Sequence, residues 1–141
     1  MVQLIVGDRG KGKTKHLLDG ANDAVINSTG NIVYLDKNSK HMYELNNKIR
    51  LIDVSQFPVK GYDQLEGFIC GIISQDHDVQ CIYIDSFSTL ADIKDVRTDL
   101  VKAIAQIENI SSRFDVDFVV SVSNDKSELD ESLQNMIVTA L

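Results

Sequence analysis

The sequence predicts an α/β fold, a three-layer αβα sandwich with a parallel sheet of about five strands, formed by residues 1–141 as a single domain. Three observations predict it. Short runs of Val, Ile and Leu alternate with longer stretches whose apolar residues recur at three and four, the pattern of strands joined by helical crossovers. Aromatic residues are only 6% of a chain that is 43% hydrophobic, so the core is aliphatic, which suits buried parallel strands. A length of 141 residues with one proline fills one core and leaves no linker-like or low-complexity stretch.

Val2-Gln3-Leu4-Ile5-Val6 reads as the first strand because it is β-rich and runs directly into glycines. Leu17, Leu18, Ala21, Ala24 and Val25 then share one helical face. A Ser-Thr-Gly turn precedes a second strand, Asn31-Ile32-Val33-Tyr34-Leu35, and Ile49-Arg50-Leu51-Ile52-Asp53 reads as a weaker third. The polar stretch 36–48 between them has no clear period. Pro58 and Gly61 break the chain before a helix striped by Leu65, Phe68, Ile69, Ile72 and Ile73. Cys81-Ile82-Tyr83-Ile84-Asp85 reads as a central strand ending in a carboxylate. A long helix is expected next, striped by Ile93, Val96, Leu100, Ile104, Ile107 and Ile110, with Arg97 and Arg113 exposed on it. Phe118-Val119-Val120-Ser121-Val122 reads as the last strand. A closing helix is expected after it, capped by Asn124 or Ser127 and burying Leu129, Leu133, Met136 and Ile137.

The formal net charge of -7 repels phosphate polymers and anionic lipid, so nucleic acid and membrane surfaces are not the expected partners. Arg9, Lys11, Lys13 and Lys15 crowd together against that trend. Cys70 and Cys81 lie in apolar runs without paired spacing and read as buried thiols. His16, His41 and His77 lack metal-ligand spacing, which assigns them to the surface or to loops. The first residues carry no basic leader, and their apolar run is too short for a signal peptide or membrane span, so a cytoplasmic location is expected.

Ligands of parallel sheets bind beyond the carboxyl ends of the strands, where this chain places Gly7, Asp36, Asp85 and Ser123-Asn124. Gly7-Asp8-Arg9-Gly10-Lys11-Gly12-Lys13-Thr14 fits G-x-x-x-x-G-K-[ST] between a strand and a helix. A phosphate chain needs several backbone N–H groups converging on it, and glycines at 7, 10 and 12 permit that tight wrap. Lys13 is expected on the β- and γ-phosphates, with the Thr14 hydroxyl on magnesium. Asp8, Arg9 and Lys11 fill the permissive positions, and Lys15 follows within reach of the same ligand. Asp85 is expected as the second magnesium group, a carboxylate held at the end of a hydrophobic strand.

These motifs resemble the P-loop NTPase superfamily, in particular its RecA-like and KaiC-like branch. Ile82-Tyr83-Ile84-Asp85-Ser86 is similar to that branch's second motif, apolar residues followed by Asp-Ser. The specific likeness lies in residues 7–14 and 81–86 and more loosely in 32–36 and 118–124. The resemblance implies a water-polarising carboxylate after the second strand, where Asp36 stands in place of the branch's glutamate, and a polar sensor at Ser123 or Asn124. It also implies an ATP-binding protein, a slow magnesium-dependent ATPase acting through a protein partner or homo-oligomer. A non-hydrolysing nucleotide sensor is the alternative, because Asp is one methylene shorter than Glu and Ser86 cannot act as a general base. A small-molecule or nucleoside kinase is the third reading, which the lack of an arginine-rich lid disfavours.

Overall fold

Two-residue alternation inside the strands decides which side chains meet which helices. The computed structural model describes all residues, Met1–Leu141. Strands β1 (Val2–Val6), β2 (Asn31–Asp36), β3 (Arg50–Asp53), β4 (Val79–Ile84), β5 (Asp117–Val122) and β6 (Ile137–Ala140) form one sheet. All its pairings are parallel, and the order is β3-β2-β4-β5-β1-β6. Leu4 and Val6, Val33 and Leu35, Ile82 and Ile84, and Val120 and Val122 point to one face. Helices α2 (Gly61–Gln75), α3 (Phe87–Leu90) and α4 (Asp99–Phe114) cover that face through Leu65, Ile69, Phe87, Leu100, Ile104 and Ile107. Ile5, Ile32, Tyr34, Cys81, Tyr83 and Val119 point to the other, where α1 (Lys13–Asn27) lays down Leu17, Leu18 and Ala21. Full burial of Leu17 and Leu18 stabilises the α1 layer by about 1.5–3 kcal/mol each. Cys81 is buried, its thiol pushed up to about 12 by burial, whereas Cys70 on α2 is only half-buried, against expectation.

The sheet has six strands rather than about five, and the expected closing helix is absent. In its place stand two 3-10 turns, Lys126–Glu128 and Glu131–Met136, followed by β6. The reason is local hydrogen bonding: Asp125 accepts from Ser127 N–H and Asp130 accepts from Ser132 N–H, each starting a fresh turn. Leu129 and Leu133 are still buried. Asp125 and Glu128 form a capping box, so neither Asn124 nor Ser127 is the cap. The long helix is shorter than its apolar stripe. Asp92 adopts a left-handed φ of 52°, Ile93 and Val96 pack from an irregular segment, and α4 starts only at Asp99, which leaves Arg97 outside it.

Candidate functional site

The same alternation builds the site. Counting on by two from Tyr34 and Tyr83 places Asp36 and Asp85 on the α1 side of the sheet, at the carboxyl ends of β2 and β4. Asp85 N–H donates to Leu35 O at 2.9 Å, extending the ladder one residue past β4. Ser121 of β5 shares the parity of Val119 and faces the same side. Together with the start of α1, these residues enclose a cleft of about 210 Å³ without a single hydrophobic lining residue. Arg9, Gly10, Gly12, Lys13 and Thr14 line it from one wall, and Asp36, Lys37, Asn38, Lys40 and His41 from the other. Asp85, Ser86, Thr89, Ser121 and Ser123 form its floor and rim. Arg9, Lys13, Lys37 and Lys40 outnumber the two carboxylates, so the cleft is cationic in an acidic protein.

Gly10 and Gly12 have φ of 87° and 92°, in the left-handed region, and nothing lies within 4 Å of where a Cβ would stand. Glycine is therefore required there by conformation and not by space. Gly7 differs: an added Cβ would meet the Leu141 Cβ at 3.0 Å. Gly12 is the N-cap of α1 and supplies no side-chain acceptor, and the first turn of the helix holds no acidic residue. The leading N–H groups of α1 thus open towards the cleft with the positive end of the helix dipole behind them. Lys13 Nζ lies back across the loop, donating to Gly7 O at 2.7 Å and Asp8 O at 3.1 Å. Burial pulls its ammonium below the usual lysine value, and the Asp85 carboxylate opposes that shift.

Asp85 is held by three donors. Ser86 N–H and the Ser121 hydroxyl both donate to Oδ1, at 2.8 Å and 3.1 Å, and the Tyr34 hydroxyl donates to Oδ2 at 3.1 Å. Ser86 reaches this geometry through a left-handed φ of 56°, which also lets its N–H donate to Ser121 Oγ at 2.9 Å. Oδ1 has both lone pairs engaged, and Oδ2 keeps one for a ligand. Asp36 Oδ1 accepts from Lys37 N–H at 2.7 Å. Burial raises the pKa of this carboxyl, the Lys37 N–H opposes, and Asp85 adds to the rise.

Of the residues singled out in the sequence, Arg9, Gly10, Gly12, Lys13, Thr14, Asp36, Asp85 and Ser123 meet in the cleft. Gly7 is buried beneath it and Asp8 contributes a carbonyl. Lys11 and Lys15 lie outside it. Lys15 bonds Asp19 at 3.0 Å on the exposed side of α1, an i,i+4 surface pair. Arg97 and Arg113 are also remote from the lining, and Arg9 is the arginine the cleft contains. His41, expected on the surface or in a loop, stands in a loop, lines the cleft and pairs with Glu44. Tyr34, Ser121, Lys37, Asn38, Lys40 and Thr89 escaped the sequence reading. Tyr34 and Ser121 carry a legible signal, since each puts a hydroxyl on the same strand face as the terminal carboxylates. Lys37 to His41 carry none, because their loop has no period.

A comparison of the chain with protein-family models gave no match, and none was found among curated proteins either. No helix is long and apolar enough to cross a membrane.

Proposed function

We propose that the cleft binds the phosphates of a nucleoside triphosphate with magnesium, in a P-loop NTPase of the RecA-like kind, and that the protein is a slow ATPase acting through a partner or oligomer. One observation carries this reading: an uncapped helix start, a buried lysine, a threonine and two strand-end carboxylates converge in a cleft with no hydrophobic lining. The donor set fits the metal. Magnesium prefers oxygen, is held by one or two carboxylates, and keeps waters and phosphate oxygens for its other positions. The Thr14 hydroxyl and the free lone pair of Asp85 Oδ2 supply that chemistry, and no cluster of three or more His, Cys, Asp or Glu forms a full protein cage. Bound there, magnesium would neutralise charge on the phosphates. Lys13 would leave its carbonyl partners to reach the β- and γ-oxygens, and Asp36 would orient a water at the terminal phosphate.

A specific observation favours the non-hydrolysing sensor as the second reading. Asp36 has one oxygen tied to Lys37 N–H, and burial favours its protonated form, so it accepts a proton from water less readily. Calorimetry with magnesium-ATP and magnesium-ADP on wild type and Lys13→Ala, followed by product analysis over hours, separates the two. Binding lost in the variant, with ADP accumulating in wild type, supports the ATPase. Binding without turnover supports the sensor, and no binding by wild type sinks both.

A further inference from the structure

The cleft does not end at its β2 wall. A second chamber, shallow and wide open to solvent, with a volume of about 410 Å³, adjoins it, and Lys37 and Thr89 line both. The chamber sits over the carboxyl end of β3, between Val54-Ser55, the start of α2 at Val59-Lys60-Gly61, and Leu90 after the Asp85 turn. Its volume falls in the range of small-molecule sites, roughly 300–1,000 Å³. Unlike the cleft, it has an apolar part: Val54 is buried, and Val59 and Leu90 are half-buried. Its lining carries two lysines and one carboxylate. Asp92 is paired with Lys94 at 3.0 Å, whereas Lys37 and Lys60 make no ion pair.

The order of the strands fixes which end of a nucleotide this chamber would meet. Across the sheet edge run β1 with the glycine loop, then β5, β4 with Asp85, β2 with Asp36, and β3 with the chamber. Lys13 and Thr14 grip the β,γ end of a triphosphate and its metal, and Asp85 and Asp36 meet that end from the β3 side. The phosphate chain therefore ends towards the chamber, and the nucleoside leaves in the opposite direction.

We infer that the chamber is a second ligand site, for a small molecule that carries a carboxylate or phosphate on a compact apolar body, placed against the terminal phosphate of the nucleotide. The placement rests on the proposed nucleotide reading; the chamber's preference for such an anion does not. Lys37 and Lys60 hold the anionic group, and Val54, Val59 and Leu90 contact the apolar part.

Amide shifts in NMR titrations of phenyl phosphate and of benzoate test this, run on the nucleotide-free protein and on protein given magnesium-ADP. Saturable shifts at Ser55, Gly61 and Leu90 are expected from at least one probe, and the tighter probe tells phosphate from carboxylate. Lys60→Ala should weaken that probe by up to about fivefold, the loss of one solvent-exposed ion pair. Val59→Trp should fill the chamber and abolish the shifts, while magnesium-ADP still perturbs Gly10 and Gly12. Absence of shifts at the three chamber amides with both probes, or shifts that survive both substitutions, overturns the inference. Failure of magnesium-ADP to bind would overturn the nucleotide reading and the placement, and the nucleotide-free titration would still decide the chamber.

Discussion

Tyr34, wholly buried in the second strand, donates its hydroxyl to Oδ2 of Asp85, just past the end of the neighbouring strand, at 3.1 Å. Burial holds the phenol far above its usual range, so it remains a donor at every accessible pH. Tyr34→Phe keeps the ring stacked on Tyr83, whose centroid lies at 6.3 Å, and removes one hydrogen bond to a buried carboxylate. We expect a stability loss of about 1.5–3 kcal/mol and a higher magnesium requirement for nucleotide binding. An unchanged urea midpoint would show that the bond contributes nothing.

Two lysines two residues apart are expected to behave differently. Lys13→Ala should lower magnesium-ATP affinity by roughly ten- to a hundredfold, the value of one or two charge-assisted hydrogen bonds. Lys15→Ala breaks only an exposed pair with Asp19 and should change affinity by less than about threefold. Calorimetry on both variants checks the contrast, and equal losses would contradict the placement of Lys15 outside the cleft.

Glycine to alanine substitutions should change sign with backbone conformation. At Gly12, φ of 92° makes alanine unfavourable by about 1–2 kcal/mol, with nucleotide affinity falling as the loop distorts. At Gly67, in the exposed interior of α2 with nothing within 4 Å, alanine should stabilise by about 0.5–1 kcal/mol. Thermal melts of the two variants in opposite directions are the expected result.

Asp36 gives the free protein a pH signature. Its folded pKa is raised, chiefly by burial, so the native state binds this proton more tightly than the unfolded chain does. Stability therefore falls as pH rises from the ordinary carboxylate range through the raised value, and the full penalty stands above it. Asp36→Asn should melt at a higher temperature than wild type at pH 7, and the gain should vanish below about pH 4. A difference independent of pH would reject this account.

The cleft has no hydrophobic lining residue, hence no surface on which a base would stack. ATP and GTP should bind within about tenfold of each other, less than the roughly 1.4 kcal/mol that would signal base-specific contacts. Inorganic tripolyphosphate should compete with both. Strong preference for one base in a competition assay would place base recognition outside the cleft described.

Much of this was legible in the sequence because period and position agree. In β1, β2, β4 and β5 the short, mainly apolar runs end in Gly7, Asp36, Asp85 and Ser123, so strand ends and site residues mark each other. The closing segment was not legible by the same logic. Leu129 and Leu133 are spaced as on a helix, yet Asp125-Lys126-Ser127 and Asp130-Glu131-Ser132 each offer the backbone a side-chain acceptor that a helix would forgo. That repeated Asp-x-Ser, with the β-branched residues Ile137, Val138 and Thr139 after it, is the signal that distinguishes turns and a strand from a helix. The second wall of the cleft was hidden for another reason: Lys37, Lys40 and His41 are brought to it by tertiary placement of a loop, which leaves no local pattern.

Because β5 lies between β1 and β4, the glycine loop and Asp85 hang from strands two ladder steps apart, roughly 10 Å. Hydrogen-bond rungs set that span, and side-chain repacking cannot alter it. β5 thus acts as a spacer block whose thickness decides what fits in the mouth of the site. A one-residue slip of β5 would turn Val120 or Val122 into the position of Ser121, stripping Asp85 of a donor and putting a methyl group among charges. An insertion within this strand would shift that register while the span and the sheet remained, so β5 is where fold and ligand capacity can be parted.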